Sequence, residues 1–142
     1  NGKGLQLLYA EILITIIAAS NDEYLKPYAI ILGDKLKLSE KILGHLMPFA
    51  MKGNYERYLA DANLFMEYLS IVVLGWLWLE MAVDAKRELE NADRKYSENF
   101  YESKIHTMKF YFKYEVPKTN SLAESLMSDE VLTIKNEKEY II

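Results

Sequence analysis

The sequence predicts an all-α chain, an antiparallel up-and-down four-helix bundle with long helices. Three observations lead there. Apolar residues recur at intervals of three and four through four long stretches, the spacing of one helix face. Only three prolines and six glycines occur in 142 residues, too few for a fold of many short strands and turns. The breaks between the stretches are short, so consecutive helices must fold back on one another.

The first helix is expected over residues 5–19. Leu5, Leu8, Ile12, Ile16 and Ala19 fall on one face, but Leu7, Leu13, Ile14 and Ile17 occupy the others, and only Gln6, Glu11 and Thr15 are polar. A helix apolar almost all round must be covered on most sides, which points to a partner surface for Leu7 and Ile14. The segment Ser20–Glu23 then interrupts the pattern with a capping-box spacing, and Pro27 suits the first turn of the next helix. That second helix is expected over residues 25–51. Its stripe is Leu25, Tyr28, Leu32, Leu36, Ser39, Leu43, Leu46 and Ala50. Pro48 should kink or end its last turn, and Gly53 suits a C-terminal cap.

Asn54 can cap a third helix that reaches about residue 91, with a break near Asp61. Its stripe is Tyr58, Ala62, Phe65, Leu69, Val72, Trp76, Leu79 and Val83. The opposite face is apolar between Ile71 and Trp78, which makes this the central helix, while residues 84–94 are charged and solvated. Ser97 can cap a fourth helix reaching Met127, with Tyr101, Ile105, Met108, Phe112 and Val116 as its stripe and Phe100, Tyr111 and Tyr114 widening it. Pro117 should kink it, because it removes a backbone donor. Residues 1–127 thus form the bundle. Residues 128–142 form a tail of alternating charge that packs loosely or stays partly disordered.

Composition excludes several functions. Hydrophobic residues are 51% and charged residues 27%, a globular balance. The net charge of -4 and the interleaving of both signs give no basic face for nucleic acid. The chain has no cysteine, which removes disulfides and thiolate chemistry and fits a cytoplasmic location. It opens at Asn1 without a signal-peptide pattern and reads as a piece of a longer chain. The uninterrupted apolar run Ile71–Leu79 is too short to span a bilayer.

A catalytic constellation is hard to assemble. The two histidines, His45 and His106, lack the Glu-x-x-His pairing of a carboxylate-bridged metal bundle, and no metal is expected. Glu11, Glu67 and Glu80 interrupt apolar stretches. Burial would make any of them an acid or base of raised pKa, whereas a solvated or lysine-paired position would not. Gly2-Lys3-Gly4 follows no strand, so phosphate-binding fingerprints are absent. No Gly-x-Ser-x-Gly nucleophile motif occurs. Trp76 and Trp78 lie two apart and point to different sides of their helix. One can fill the core, and the other can anchor a partner.

The third and fourth helices carry a family likeness. The stretch Ala62-Asn63-Leu64-Phe65-Met66-Glu67-Tyr68-Leu69, followed by Val73-Leu74-Gly75-Trp76-Leu77-Trp78, resembles a segment of the C-terminal-like domain of acyl-CoA dehydrogenases. Gly75-Trp76 matches the family's mid-helix Gly-Trp pair. Phe100-Tyr101-Glu102-Ser103-Lys104 and Lys109-Phe110-Tyr111-Phe112 resemble its Phe-Tyr-x-x-Lys and later Phe-Tyr elements, and Pro117 its closing proline. Asn1-Gly2-Lys3-Gly4-Leu5-Gln6 looks like the exit from a dehydrogenase body. The likeness runs to about Ile134; Lys135 to Ile142 match nothing.

The resemblance implies a parent flavoenzyme that uses FAD to oxidise an acyl-CoA thioester to the 2-enoyl-CoA. The base glutamate and the FAD elements of that family lie upstream. No residue here matches them, so no catalytic, cofactor-binding or metal residue is assigned, and the piece alone should be inactive. It would pack on the catalytic body of the same parent chain or build a homo-oligomer. The residues expected to serve packing or an interface are Leu7, Ile14, Gly75, Trp76, Trp78, Phe100 and Tyr101. The competing expectation is a free-standing helical interaction module.

Overall fold

The computed structural model describes residues 2–134. Six helices occur in order: α1 (Lys3–Ser20), α2 (Lys26–Met51), α3 (Tyr55–Leu59), α4 (Ala62–Leu89), α5 (Glu98–Tyr114) and α6 (Lys118–Met127). They make four rods, α1, α2, α3–α4 and α5–α6, with no strand among the described residues.

Cross-helix contacts set the directions. Tyr9 of α1 hydrogen-bonds Ser39 late in α2, while Ser20 and Ala29 share one end of a groove between these helices. Lys86, late in α4, pairs with Asp22 just before α2 at 3.4 Å, and Tyr68, early in α4, reaches Lys35 further along α2. Tyr111, late in α5, donates to the Ile71 carbonyl early in α4 at 2.9 Å. The rods therefore run up, down, up and down. Helices α2 and α4 form the middle. Helix α1 lies on one flank of this pair and the α5–α6 rod on the other, each packed on both.

Local chemistry explains most boundaries. Gly53 has φ +77°, and the Asn54 amide reaches back to the Phe49 carbonyl at 2.8 Å, a glycine-terminated C-cap. The Asn54 side chain accepts from the Arg57 amide at 3.1 Å, opening α3. The Ser97 hydroxyl accepts from the Phe100 amide at 3.3 Å, opening α5. The break near Asp61 separates α3 from α4, and Pro117 separates α5 from α6.

Three local expectations change. The capping box at Ser20–Glu23 does not form: the Ser20 hydroxyl turns back to the Ile16 carbonyl, and Asp22 accepts from the amides of Tyr24 and Leu25 instead. The C-terminal part of α4 is not wholly solvated, since Ala85 is buried and Lys86 is paired. The described part of the tail is tied down: buried Arg57 donates to the Ser128 carbonyl at 2.9 Å, and the Thr133 hydroxyl meets Asp61 at 3.1 Å. The rest of the tail lies outside the described residues.

The core is one cluster running through all four rods. The stripe expected on the fourth helix is buried in full: Tyr101, Ile105, Met108, Phe112 and Val116. On α4 the buried face is rotated from expectation to Tyr68, Val72, Gly75, Leu79, Ala82 and Ala85. Phe65, Leu69, Trp76 and Val83 are half-buried, and Ala62 is exposed. The cause is steric: small residues let a neighbouring helix approach closely, so the α4 contact centres on Gly75, Ala82 and Ala85, not on the bulky stripe.

Gly75 marks that approach. A Cβ there would meet Tyr111 at 3.5 Å, Val116 at 3.6 Å and Phe112 at 3.8 Å, which is ordinary contact. A methyl group therefore fits, while anything longer collides with the α5–α6 corner. Mid-helix glycine costs about 1 kcal/mol relative to alanine, so Gly75→Ala should stabilise the chain by up to about that amount. Gly75→Leu should destabilise it by about 1–3 kcal/mol through overpacking. Chemical denaturation of the two variants checks the change of sign.

Candidate functional site

Helix α1 is the least satisfied element. Of its 18 residues only Ile12, Thr15 and Ala19 are buried. Polar bonds hold it in place: Tyr9 bonds Ser39, and the Trp76 indole Nε1 donates to the Thr15 hydroxyl at 2.8 Å. Thr15 is thus a buried polar group with a partner, as burial requires. The opposite face is bare. Leu7 is 61% exposed, Ile14 62% and Ile17 65%.

The exposed residues Leu7, Ala10, Ile14 and Ile17 are spaced by three, four and three, the a/d repeat of a helix–helix seam. Leu13 extends the seam into a groove of about 470 Å³ between α1 and α2, lined by Ile16, Ala29, Ile30 and Gly33, with Asp34, Lys37 and Glu40 along its edge. Gly33 leaves the groove open, for a Cβ there would meet nothing within 4 Å. Lys3 and Glu11 are the only charged residues of α1. By length and composition α1 could cross a membrane, as could the Tyr55–Leu89 stretch. The length of the uninterrupted run Ile71–Leu79 does not measure this, because isolated polar residues leave the average of a longer window high. In α3–α4 Tyr68, Val72, Leu79, Ala82 and Ala85 enter the core, while Leu59, Met66, Leu74, Leu77 and Met81 stay exposed. In α1 Leu7, Leu13, Ile14 and Ile17 stay exposed likewise.

Leu7 and Ile14 therefore lie together on one open face. Gly75, Trp76 and Trp78 lie elsewhere: Gly75 is buried, and both tryptophans are half-buried against the core. The Trp76 indole is spent on α1, while Trp78 packs against the core with part of its surface open. Tyr101 is a core residue at 7% exposure, and its hydroxyl accepts from the Tyr96 amide. Phe100 is partly exposed and stacks with Tyr96 and Tyr101 near the start of α5. Periodicity alone does not show that Leu13 and Ile30 border the seam, because nothing in it says which side of α2 meets α1.

No acid–base site emerges. Glu11, Glu67 and Glu80 are all exposed. His45 and His106 lie on different rods, and among the described residues no three His, Asp or Glu side chains gather as metal ligands. The strongest perturbations fall on structural phenols. Burial raises Tyr68 and Tyr9, the latter helped by Glu40, and burial with Glu115 nearby pushes Tyr111 up to about 12. Tyr68 and Tyr111 each donate to a backbone carbonyl, so these protons hold helices together.

That arrangement has a pH consequence. The folded chain keeps phenol protons that the unfolded chain releases near the ordinary tyrosine value of about 10. Stability is then fully present below about pH 10 and falls as pH rises toward Tyr111's value of about 12. Alkaline unfolding followed by circular dichroism and phenolate absorbance should show this loss, and Tyr68→Phe with Tyr111→Phe should flatten it.

The geometry describes a bundle whose built features are packing faces. The family model described as acetyl-CoA dehydrogenase C-terminal like matches residues 8–135. The chain belongs to that family. No curated protein and no solved structure matches. The match covers Ala10, Ile14 and Ile17 of the seam on α1, the Gly75 crossing and the Pro117 corner of this acetyl-CoA dehydrogenase C-terminal-like domain. Among the described residues no glycine-rich turn opens a helix against a cavity, and the unpartnered buried side-chain polar atom is His45 Nε2.

Proposed function

We propose that this domain is a non-catalytic accessory unit of an FAD-dependent acyl-CoA dehydrogenase, and that it docks on the catalytic body through the outer face of α1. The observation that carries this is the a/d seam of Leu7, Ala10, Ile14 and Ile17, left uncovered in a member of this family. Such spacing suits a partner helix. A lipid surface is the poorer occupant, since helices lying on membranes carry many Lys and Arg on their polar face, and α1 has one lysine. FAD and the acyl-CoA substrate would be handled by the body, in the cytoplasm.

The test is reconstitution. The dehydrogenase body, produced without this domain, is mixed with the 142-residue chain and followed by analytical ultracentrifugation and acyl-CoA oxidation. Formation of a one-to-one complex, with oxidation absent from the domain alone, supports the reading. A domain that ignores the body and associates only with itself would replace docking by homo-oligomer assembly. Binding to neither would return it to a free-standing module.

A further inference from the structure

A second surface lies away from α1, where α2 and α5 run parallel on the face of α4. Its floor is made by Tyr28 and Phe112, edge to face with ring centroids 5.4 Å apart. Ile31 and the half-exposed Phe110 and Tyr114 form the walls. The groove encloses about 520 Å³, inside the range of about 300–1,000 Å³ of small-molecule sites. Its charged lining has one sign. Lys109 and Lys113, with His106, border it, and no carboxylate lines it.

The two lysines are set apart by their place beside the groove, not by lacking an ion pair, since Lys95 and Lys104 also lie over aromatic rings without one. Lys86 and Lys118 are matched to carboxylates, and Lys35 to the Asn120 amide. Among the described residues Lys109 and Lys113 meet no carboxylate at ion-pair distance. Their ammonium groups instead sit 5.6 Å from the Tyr24 ring and 5.2 Å from the Tyr114 ring. They are four residues apart on one helix face, where like charges repel. An anion between them removes that repulsion, and a chain carrying net charge -4 has placed these cations beside bare aromatic surface.

We propose that the α2–α5 groove is a binding site for a small amphiphilic anion, its sulfate, phosphate or carboxylate head held by Lys109 and Lys113 and its apolar body laid over Phe112 between Ile31 and Phe110. The site is independent of the α1 face, and its test does not require the dehydrogenase body.

Decyl sulfate below its micelle concentration, decanol and inorganic sulfate are titrated separately into the 142-residue chain, with backbone amides followed by NMR. Decyl sulfate should give saturable shifts centred on residues 106–114 and on Tyr28 and Ile31, with decanol and sulfate each at least about tenfold weaker, as expected when both parts of the ligand contribute. Lys109→Ala/Lys113→Ala should lose about tenfold in affinity, and Lys109→Arg/Lys113→Arg should retain it, because the charge is kept. Both pairs replace exposed side chains, and the arginine pair controls for folding. Shifts centred on Leu7 to Ile17, equal binding of decanol, or binding indifferent to the alanine pair would overturn the proposal. So would a site that takes an acidic peptide but not the amphiphile.

Discussion

Tyr68→Ala is expected to destabilise the chain by about 3–5 kcal/mol, the cost of deleting a buried aromatic side chain. Tyr68 is fully buried at 0% exposure and is the largest side chain so enclosed. It stands on α4 where α1 and α2 converge, and its hydroxyl donates to the Lys35 carbonyl at 2.7 Å. Tyr68→Phe removes only that bond and should cost about 1 kcal/mol. The Lys35 carbonyl belongs to the body of α2, so it keeps a helical partner and is not orphaned. Against a total stability of about 5–15 kcal/mol, alanine takes a large share and phenylalanine a small one. Thermal and urea unfolding of the two variants separates the ring from the hydroxyl. Equal losses would mean that the hydrogen bond, and not the packing, holds α2 to α4.

Tyr68 also shows where the sequence stops being informative. It lies one residue from Leu69, which periodicity places in the core, yet Tyr68 is buried and Leu69 only half-buried. A helix apolar on both faces offers two stripes. The choice between them depends on which neighbours approach closest, and Gly75, Ala82 and Ala85 decide that through their small size. On α5 one stripe is apolar and the other carries Glu102, His106 and Lys109, so Tyr101, Ile105, Met108, Phe112 and Val116 are buried as read, whereas Phe100 and Tyr114, expected to widen the stripe, are exposed. Rod number, order and the breaks at Asp61 and Pro117 are legible because caps and prolines act locally. Ser20–Glu23 misleads because Ser20 still belongs to α1 and turns its hydroxyl to the Ile16 carbonyl, while Asp22 closes the turn before α2 by accepting from the Tyr24 and Leu25 amides.

The surfaces divide in the same way. The excess apolar residues of α1 are legible, because no arrangement of one small bundle covers every side of a flanking helix. The groove beside α5 is not. Tyr28 and Ile31 are about 80 residues from Phe110 and Lys113 in the chain, and only parallel packing on α4 brings them together. The roles expected of Trp76 and Trp78 depend on the same long-range geometry. Thr15, a small polar residue on an apolar helix, is what holds the Trp76 indole inward.

Ile14→Glu should abolish docking of the domain on the catalytic body while leaving the isolated domain intact. Ile14 is 62% exposed, so in the free domain a glutamate remains hydrated, and the change in stability should stay within about 0.5 kcal/mol. In the complex the same position is the middle of the a/d seam, between Ala10 and Ile17. A carboxylate there loses its water without gaining a partner, because Lys3 and Glu11 are the charges α1 supplies and Lys3 lies three turns away. Central interface residues of this kind cost about 2 kcal/mol or more when truncated, and about 1.4 kcal/mol is a tenfold change in affinity. Added desolvation of the charge should carry the loss beyond about a hundredfold. Sedimentation of the variant with the body measures it, and Ile14→Leu serves as the conservative control. An Ile14→Glu domain that binds as well as the unaltered one would move the docking face off α1 and leave its apolar seam without an occupant.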